Sequence, residues 1–131
     1  MIDHVDLVVT DLGRSLAFYR ELLAPLGYTR ESPITGERGE RVVYVSHPEG
    51  DAIGLREAQS DVPLDRYALG LHHLALRAPS RSVVDERAAW LRAAGAELES
   101  GPAEYEYSPG YYAVFFRDPD GIKLELVHQP A

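Results

Sequence analysis

Two histidines and one glutamate stand inside short apolar segments, where metal-binding side chains are unusual. His4 opens the run HVDLVV, and His73 opens the run HLAL. Glu125 lies in a third run, IKLELV. Imidazole and carboxylate together suit divalent iron, manganese, cobalt, nickel or zinc, whereas magnesium and calcium prefer all-oxygen surroundings. The three residues therefore predict a divalent metal site, provided that the fold brings their segments together.

The first half of the chain predicts the elements that would position His4. A strand over residues 2–9 carries β-branched residues, and Asp11 can cap the helix that follows. Apolar residues at three- and four-residue spacing continue that helix until Gly27 ends it. The sequence pattern then predicts three strands, at residues 28–31, 41–46 and 52–57. A polar loop that begins at Ser32 separates the first of these strands from the second.

The second half repeats this order. The strand that His73 opens precedes a helix with Ser80 or Ser82 as its cap and Gly95 at its end. A loop from Glu104 to Gly110 leads to strands at residues 111–116 and 122–128, and the segment DPDG between them predicts a tight turn. The fold class is therefore α+β, and the repeat of the first half predicts strand, helix and three strands in each half, two of which after the second helix are the strands just named. We expect a single domain over residues 1–131, with modules 1–57 and 71–131 joined by a linker, 58–70.

Composition narrows the classes of function. A chain of 131 residues with 45% hydrophobic residues can bury one sizeable core. The net charge of −8 argues against partners such as nucleic acid or an anionic membrane, since both need clustered lysine and arginine. The absence of cysteine excludes disulfides and thiolate ligands. No apolar run reaches the length of a membrane span, and we expect a cytoplasmic protein.

Several segments resemble the vicinal oxygen chelate superfamily of glyoxalase I, methylmalonyl-CoA epimerase, extradiol dioxygenases, fosfomycin-modifying enzymes and bleomycin-resistance proteins. These segments are HVDLVVTDL from residue 4, SLAFY from residue 15, HLAL from residue 73 and DPDGIKLEL from residue 118. The resemblance implies two βαβββ modules that form a curved mixed sheet around a cup. It also implies a homodimer, and a metal ion held by His4, His73 and Glu125 on the first, fifth and eighth strands.

A fourth ligand position of this superfamily is changed in the chain. Glyoxalases and epimerases place glutamate or glutamine near the end of the fourth strand, and Gly54 matches that position. Two histidines and one carboxylate then remain, with open positions for water or substrate. We expect that Gly54→Glu tightens metal binding.

Four residues are candidates for binding a small-molecule substrate. Arg56 shares a strand face with Gly54 and can pair with a carboxylate. The other three are the tyrosines of a polar loop and the strand after it, which can line a pocket: Tyr107, Tyr111 and Tyr112. Lys123 shares the face of Glu125, yet it follows a turn and is expected to be exposed. His72 is expected on the opposite face from His73.

The resemblance implies a metal-dependent enzyme that acts on a small oxygen-rich molecule. Glyoxalase-like lyase or isomerase chemistry is favoured, with Glu125 as the catalytic residue that both ligates and moves protons. One alternative is extradiol ring cleavage, although those enzymes carry a tyrosine ten residues before the glutamate ligand, where this chain has Phe115. The other is a non-catalytic binding protein of the bleomycin-resistance type.

Overall fold

The computed structural model describes residues 1–130, which divide into two compact units between Val62 and Pro63. Each unit contains a strand, a helix and three further strands, in that order. The predicted α+β class with two βαβββ modules is therefore confirmed. The boundary falls within residues 58–70, which form no helix or strand. Among residues 1–130, no helix is long and apolar enough to cross a membrane.

The first unit is one four-stranded sheet with one helix. Its elements are β1 (His4–Val9), α1 (Leu12–Leu23), β2 (Arg30–Thr35), β3 (Arg41–Ser46) and β4 (Ala52–Glu57). The strand order is β1-β4-β3-β2, in which β1 and β4 are parallel and the other neighbours are antiparallel. Along β1, buried Leu7 and Val9 alternate with exposed Asp6 and Val8. The polar side chains of β1 therefore lie on the face away from the core.

The ends of α1 follow the predicted residues. The carboxylate of Asp11 accepts a hydrogen bond from the backbone N–H of Arg14 at 3.0 Å, which satisfies one donor of the first turn. Beyond Leu23 the chain continues as a short 3-10 helix, Ala24–Leu26, and ends at Gly27 with φ of 101°. Glycine adopts that left-handed conformation without steric cost.

β2 is longer than predicted. The sequence placed a loop from Ser32, whereas the strand continues to Thr35 and pairs in register with β3. Pro33 is compatible with this arrangement because β2 is an edge strand, where a missing N–H breaks no ladder on the open side. Proline therefore marked the edge of the sheet and not the end of the strand.

The second unit has the same plan. Its elements are β5 (Leu74–Arg77), α2 (Arg81–Ala93), β6 (Leu98–Glu104), β7 (Tyr112–Arg117) and β8 (Lys123–His128). The order is β5-β8-β7-β6, with β5 and β8 parallel. Of the two predicted caps, Ser80 accepts from the backbone N–H of Val83 at 3.2 Å. Gly95, with φ of 79°, follows the helix end as predicted. His73 directly precedes β5 instead of opening it.

Both faces of β7 and β8 hold buried side chains. Phe116, Leu124 and Leu126 are fully buried, and α2 packs on both strands. The opposite face carries a smaller cluster, of which Ala113, Phe115 and Val127 are buried and Tyr105 and Tyr111 pack against them. Glu125 lies on this second face, since it is paired with Phe115 across the sheet. We call it the Glu125 face.

Candidate functional site

His73 and Glu125 meet at the junction of β5 and β8. The parallel register pairs Ala75 with Glu125, and His73 lies two residues before Ala75, in the segment that leads into β5. The Nε2 atom of His73 lies 3.4 Å from Oε1 of Glu125. Glu125 is only 2% exposed, whereas the side chain of His73 is 35% exposed. Solvent therefore reaches this pair from the histidine side.

Each member of the pair is held through its other polar atom. The hydroxyl of Tyr111 donates a hydrogen bond to Oε2 of Glu125. The Nδ1 atoms of His72 and His73 lie 2.7 Å apart, so one of the two rings carries the proton between them. Nε2 of His73 and Oε1 of Glu125 are consequently left facing each other. In metal sites, neighbouring groups orient the ligands in the same way.

The regular strand pattern predicted His72 on the opposite face from His73, but the structure places the two rings in contact. The strand begins only at Leu74, so period-two alternation does not apply to residues 72 and 73. The His72 ring is half-buried and packs edge-on against Tyr67, with ring centroids 4.9 Å apart. Burial, followed by the charges on His73, Lys123 and Arg66, lowers the pKa of His72.

Tyr111 remains a hydrogen-bond donor at neutral pH. Burial and then the hydrogen bond to Glu125 raise the pKa of the Tyr111 hydroxyl well above its usual range. The deprotonated form would place two negative charges in contact, which a half-buried site disfavours. The structure thus shows Tyr111 contacting Glu125, whereas the sequence placed it among the substrate-binding residues.

The other two predicted tyrosines lie in different surroundings. Tyr107 is 69% exposed, stacks on Tyr105 and meets the ring of Tyr111 edge-on. Tyr112 points to the α2 side of the sheet, where its hydroxyl donates to Asp85 at 2.5 Å. The structure therefore brings Tyr111, which directly precedes β7, to Glu125 and directs Tyr112, the first residue of β7, away from it.

His4 belongs to the first unit and is half-exposed. Its Nδ1 lies 2.7 Å from Oδ1 of Asp3, and this hydrogen bond is the main reason that the pKa of His4 is raised. The ring also meets Tyr44 edge-on, with centroids 5.5 Å apart. One ring nitrogen of His4 is therefore engaged by a neighbouring side chain, as one ring nitrogen of His73 is.

The space beside Gly54 is occupied by its neighbours. A Cβ atom at this residue would lie 2.3 Å from Oδ1 of Asp6 and 2.6 Å from Cε1 of Tyr44. The Tyr44 hydroxyl donates to Oδ2 of Asp6 at 3.0 Å, so the two side chains lie across the glycine together. A glutamate at residue 54 would have to displace both side chains, and the expected gain in metal binding stays a prediction.

Arg56 is surrounded by acidic groups. Its guanidinium lies 2.9 Å from the Asp6 carboxylate and 3.5 Å from that of Glu40. The hydrogen bond with Tyr44 is the largest cause of its raised pKa. Two carboxylates already compensate this single cation, so the structure adds no support for Arg56 as the anion-binding residue.

Sequence reasoning missed a group of three cations around one carboxylate in the second unit. Oε1 of Glu99 accepts hydrogen bonds from Arg66 at 2.6 Å and Arg117 at 2.9 Å, and Lys123 lies 3.3 Å from Oε2. Burial alone would raise the pKa of Glu99, but the three cations outweigh it and lower the pKa to about 2. Lys123 is therefore paired and mostly buried, contrary to its expected exposure.

The second unit offers two of the three donors that a histidine–carboxylate site needs. Imidazole nitrogen and carboxylate oxygen suit a divalent transition metal, and Nε2 of His73 and Oε1 of Glu125 converge. Over residues 1–130, no three histidine, aspartate or glutamate side chains cluster in a way that could hold a metal. These two donors fit a metal ion, and His4 as a third ligand remains a prediction.

Comparisons with known proteins place the chain among its relatives. The model of the Glyoxalase/Bleomycin resistance protein/Dioxygenase superfamily matches residues 1–126. The uncharacterized Bacillus subtilis protein YqjT is 32% identical over 129 residues, 95% of each chain. A glyoxylase/bleomycin resistance protein/dioxygenase domain from Frankia sp. EAN1pec is 28% identical with a TM-score of 0.80, covering 99% of this chain and 98% of that one. A glyoxalase family protein from Enterococcus faecalis is 27% identical with a TM-score of 0.70, covering 97% and 96%.

Proposed function

The chain belongs to the Glyoxalase/Bleomycin resistance protein/Dioxygenase superfamily, and on that premise we propose that it is a metal-dependent enzyme acting on a small oxygen-rich molecule. The favoured reaction is of the glyoxalase-like lyase or isomerase type. One observation carries the proposal: Nε2 of His73 and Oε1 of Glu125 converge at 3.4 Å, each on a side chain held by a neighbour. A homodimer and a cytoplasmic location stay predictions of the sequence.

His73 and Glu125 are the proposed ligands in the second unit, and His4 is the proposed third ligand. A divalent ion bound by them would polarise adjacent oxygen atoms of the substrate as a Lewis acid. Iron, manganese, cobalt, nickel and zinc all remain candidates, because the donor set does not separate them.

Glu125 is the proposed proton carrier. It is almost fully buried, so bulk water does not compete for its carboxylate. The hydroxyl of Tyr111 donates a hydrogen bond to Oε2, and this bond holds the carboxylate in one orientation. Because Tyr111 occupies Oε2, Oε1 is the oxygen left both to ligate a metal and to exchange a proton with a substrate carbon, so the two roles alternate at that atom.

Phe115 favours this chemistry over ring cleavage. The extradiol enzymes that this chain resembles carry a tyrosine hydroxyl at that position. The Phe115 ring meets the His73 ring with centroids 6.5 Å apart, so the residue beside the proposed ligand lacks a group that can exchange protons. Dioxygenation remains the alternative, together with a non-catalytic binding role.

The proposal is tested by proton exchange. Glyceraldehyde serves as an α-hydroxy carbonyl probe in deuterium oxide, and NMR follows loss of its α-proton with each candidate metal. We expect exchange above the metal-only rate, and its loss in Glu125→Gln. Oxygen uptake with catechol and no α-proton exchange would instead favour the dioxygenase. Metal-independent ligand binding without either reaction would favour the binding protein.

A further inference from the structure

Two of the three cations around Glu99 lie on the Glu125 face. β7 and β8 pair Phe115 with Glu125 and, two residues further along, Arg117 with Lys123. Side chains two residues apart on a strand share a face, so Arg117 and Lys123 follow directly after the Phe115–Glu125 pair. At roughly 3.3 Å per residue, the two pairs are about 7 Å apart along the strands.

The buried Phe115 ring lies between the two groups. The Nζ atom of Lys123 lies 5.0 Å from the centre of the Phe115 ring, and the same ring contacts His73. His73 and Lys123 therefore lie around one ring, close enough together for a single small molecule to contact His73 and Glu125 at one end and Lys123 at the other.

A local distortion of β6 supplies the carboxylate of the cluster. The register between β6 and β7 shifts between Leu98 and Ser100, so Glu99 is the extra residue of a β-bulge. Bulges redirect a side chain, and here the Glu99 carboxylate meets Arg117 and Lys123. Arg66 lies in the irregular segment of residues 58–70 and completes the group.

Positive charge exceeds negative charge in this cluster. Glu99 contacts all three cations, and Glu97 pairs with Arg117 at 4.0 Å, so two carboxylates face three cations. A guanidinium has five N–H donors and an ammonium three, so the bonds to Glu99 occupy a minority of them. The surroundings of Arg56 are the reverse, with one cation between two acids. In a chain of net charge −8, this local excess of cations runs against the overall composition.

We propose that Arg66, Arg117 and Lys123 bind an anionic group, a carboxylate or a phosphate, on the substrate of the neighbouring His73–Glu125 site. The substrate would then carry adjacent chelating oxygens at one end and this anionic group at the other. The inference that the bound anion belongs to a substrate rests on the proposed function, whereas anion binding by the cluster itself does not.

The first experiment uses the metal-free full chain with inorganic phosphate and, separately, acetate, followed by NMR titration. We expect saturable binding of one or both, weakened about tenfold or more by Arg117→Gln and by Lys123→Met, since a hydrogen bond to a charged group carries at least that factor. Methionine keeps the apolar stem over Phe115. Arg92→Gln, at an exposed position of α2, is the matched control and is expected to bind as the wild type does.

The second experiment connects the cluster to the metal site. With metal present, 3-phosphoglycerate is expected to bind about tenfold or more tightly than glycerate, because only the former carries the second anionic group. Lys123→Met should remove that difference, with thermal unfolding confirming that the variant is folded.

The outcomes separate the two claims. No saturable phosphate or acetate binding, or equal binding by wild type, Arg117→Gln and Lys123→Met, overturns the anion site. Phosphate binding without any metal binding preserves the anion site and refutes the proposed metal chemistry. Equal affinity for 3-phosphoglycerate and glycerate in the metal-loaded protein overturns the assignment of the anion to the substrate.

Discussion

The carboxylate of Asp6 fills the space beside Gly54: its Oδ1 atom lies 2.3 Å from the point where a Cβ on residue 54 would be. The superfamily pattern suggested a missing ligand at this position. In the structure, Asp6 and Tyr44 occupy the volume that a ligand side chain would need. Any side chain at residue 54 therefore requires Asp6 and Tyr44 to move.

Gly54→Ala is expected to destabilise the protein by about 1–3 kcal/mol, the usual cost of inserting atoms into a packed site. Adding Asp6→Ala removes one of the two close contacts, so part of the loss should be recovered in the double variant. Urea unfolding measures both. Gly13→Ala, at an exposed position in α1, is the control and should be neutral or stabilising. A Gly54→Ala variant as stable as the wild type would refute this account.

Tyr111→Phe is expected to weaken metal affinity by about tenfold or more, because loss of a hydrogen bond to a ligating carboxylate commonly has that effect. Calorimetric titration with zinc provides the measurement. Tyr107→Phe removes a hydroxyl from the neighbouring exposed ring and should leave affinity unchanged. Equal affinities for the two variants would show that Tyr111 does not position Glu125.

The Glu99 cluster predicts a specific dependence of stability on pH. The pKa of Glu99 is about 2 in the folded chain, against an ordinary value of 4.5. A lowered pKa stabilises the fold above pH 4.5, and this stabilisation is lost as the pH falls from 4.5 toward 2. At about 1.4 kcal/mol per pKa unit, the loss amounts to at most about 3.5 kcal/mol.

Unfolding free energies of the wild type and Glu99→Gln between pH 6 and 2.5 measure this effect. The wild type should lose more stability than the variant across the interval, while the variant should be less stable at pH 6, since its three cations lack their carboxylate. Parallel profiles would mean that Arg66, Arg117 and Lys123 do not hold Glu99 ionised.

Local signals in the sequence were sufficient for the elements of the fold. Asp11 and Ser80 cap the two helices because their short polar side chains reach the backbone N–H three residues ahead. Gly27 and Gly95 follow the helical segments because each adopts a positive φ. These effects depend on neighbours within a few residues, which a sequence displays directly.

The site depended on register and on long-range pairing. Tyr111 directly precedes β7 and contacts Glu125 of β8, whereas Tyr112 opens β7 and contacts Asp85 of α2, so the point at which the strand begins decides which tyrosine meets Glu125. The contact between Arg66 and Glu99 joins an irregular segment to a β-bulge. Neither partner has a local pattern that predicts the other. Lys123 was misjudged for the same reason, since its partner comes from β6.

Metal binding by the purified chain tests the central claim most directly. Calorimetric titration of chelator-treated protein with zinc, manganese, iron, cobalt and nickel should give one ion per chain for at least one metal. His73→Ala and Glu125→Gln should each abolish that binding, His4→Ala should weaken it, and His47→Ala, which lies outside the proposed ligand set, should leave it intact. A wild type that binds none of these metals, or His73→Ala and Glu125→Gln variants that bind as tightly as the wild type, would contradict the account.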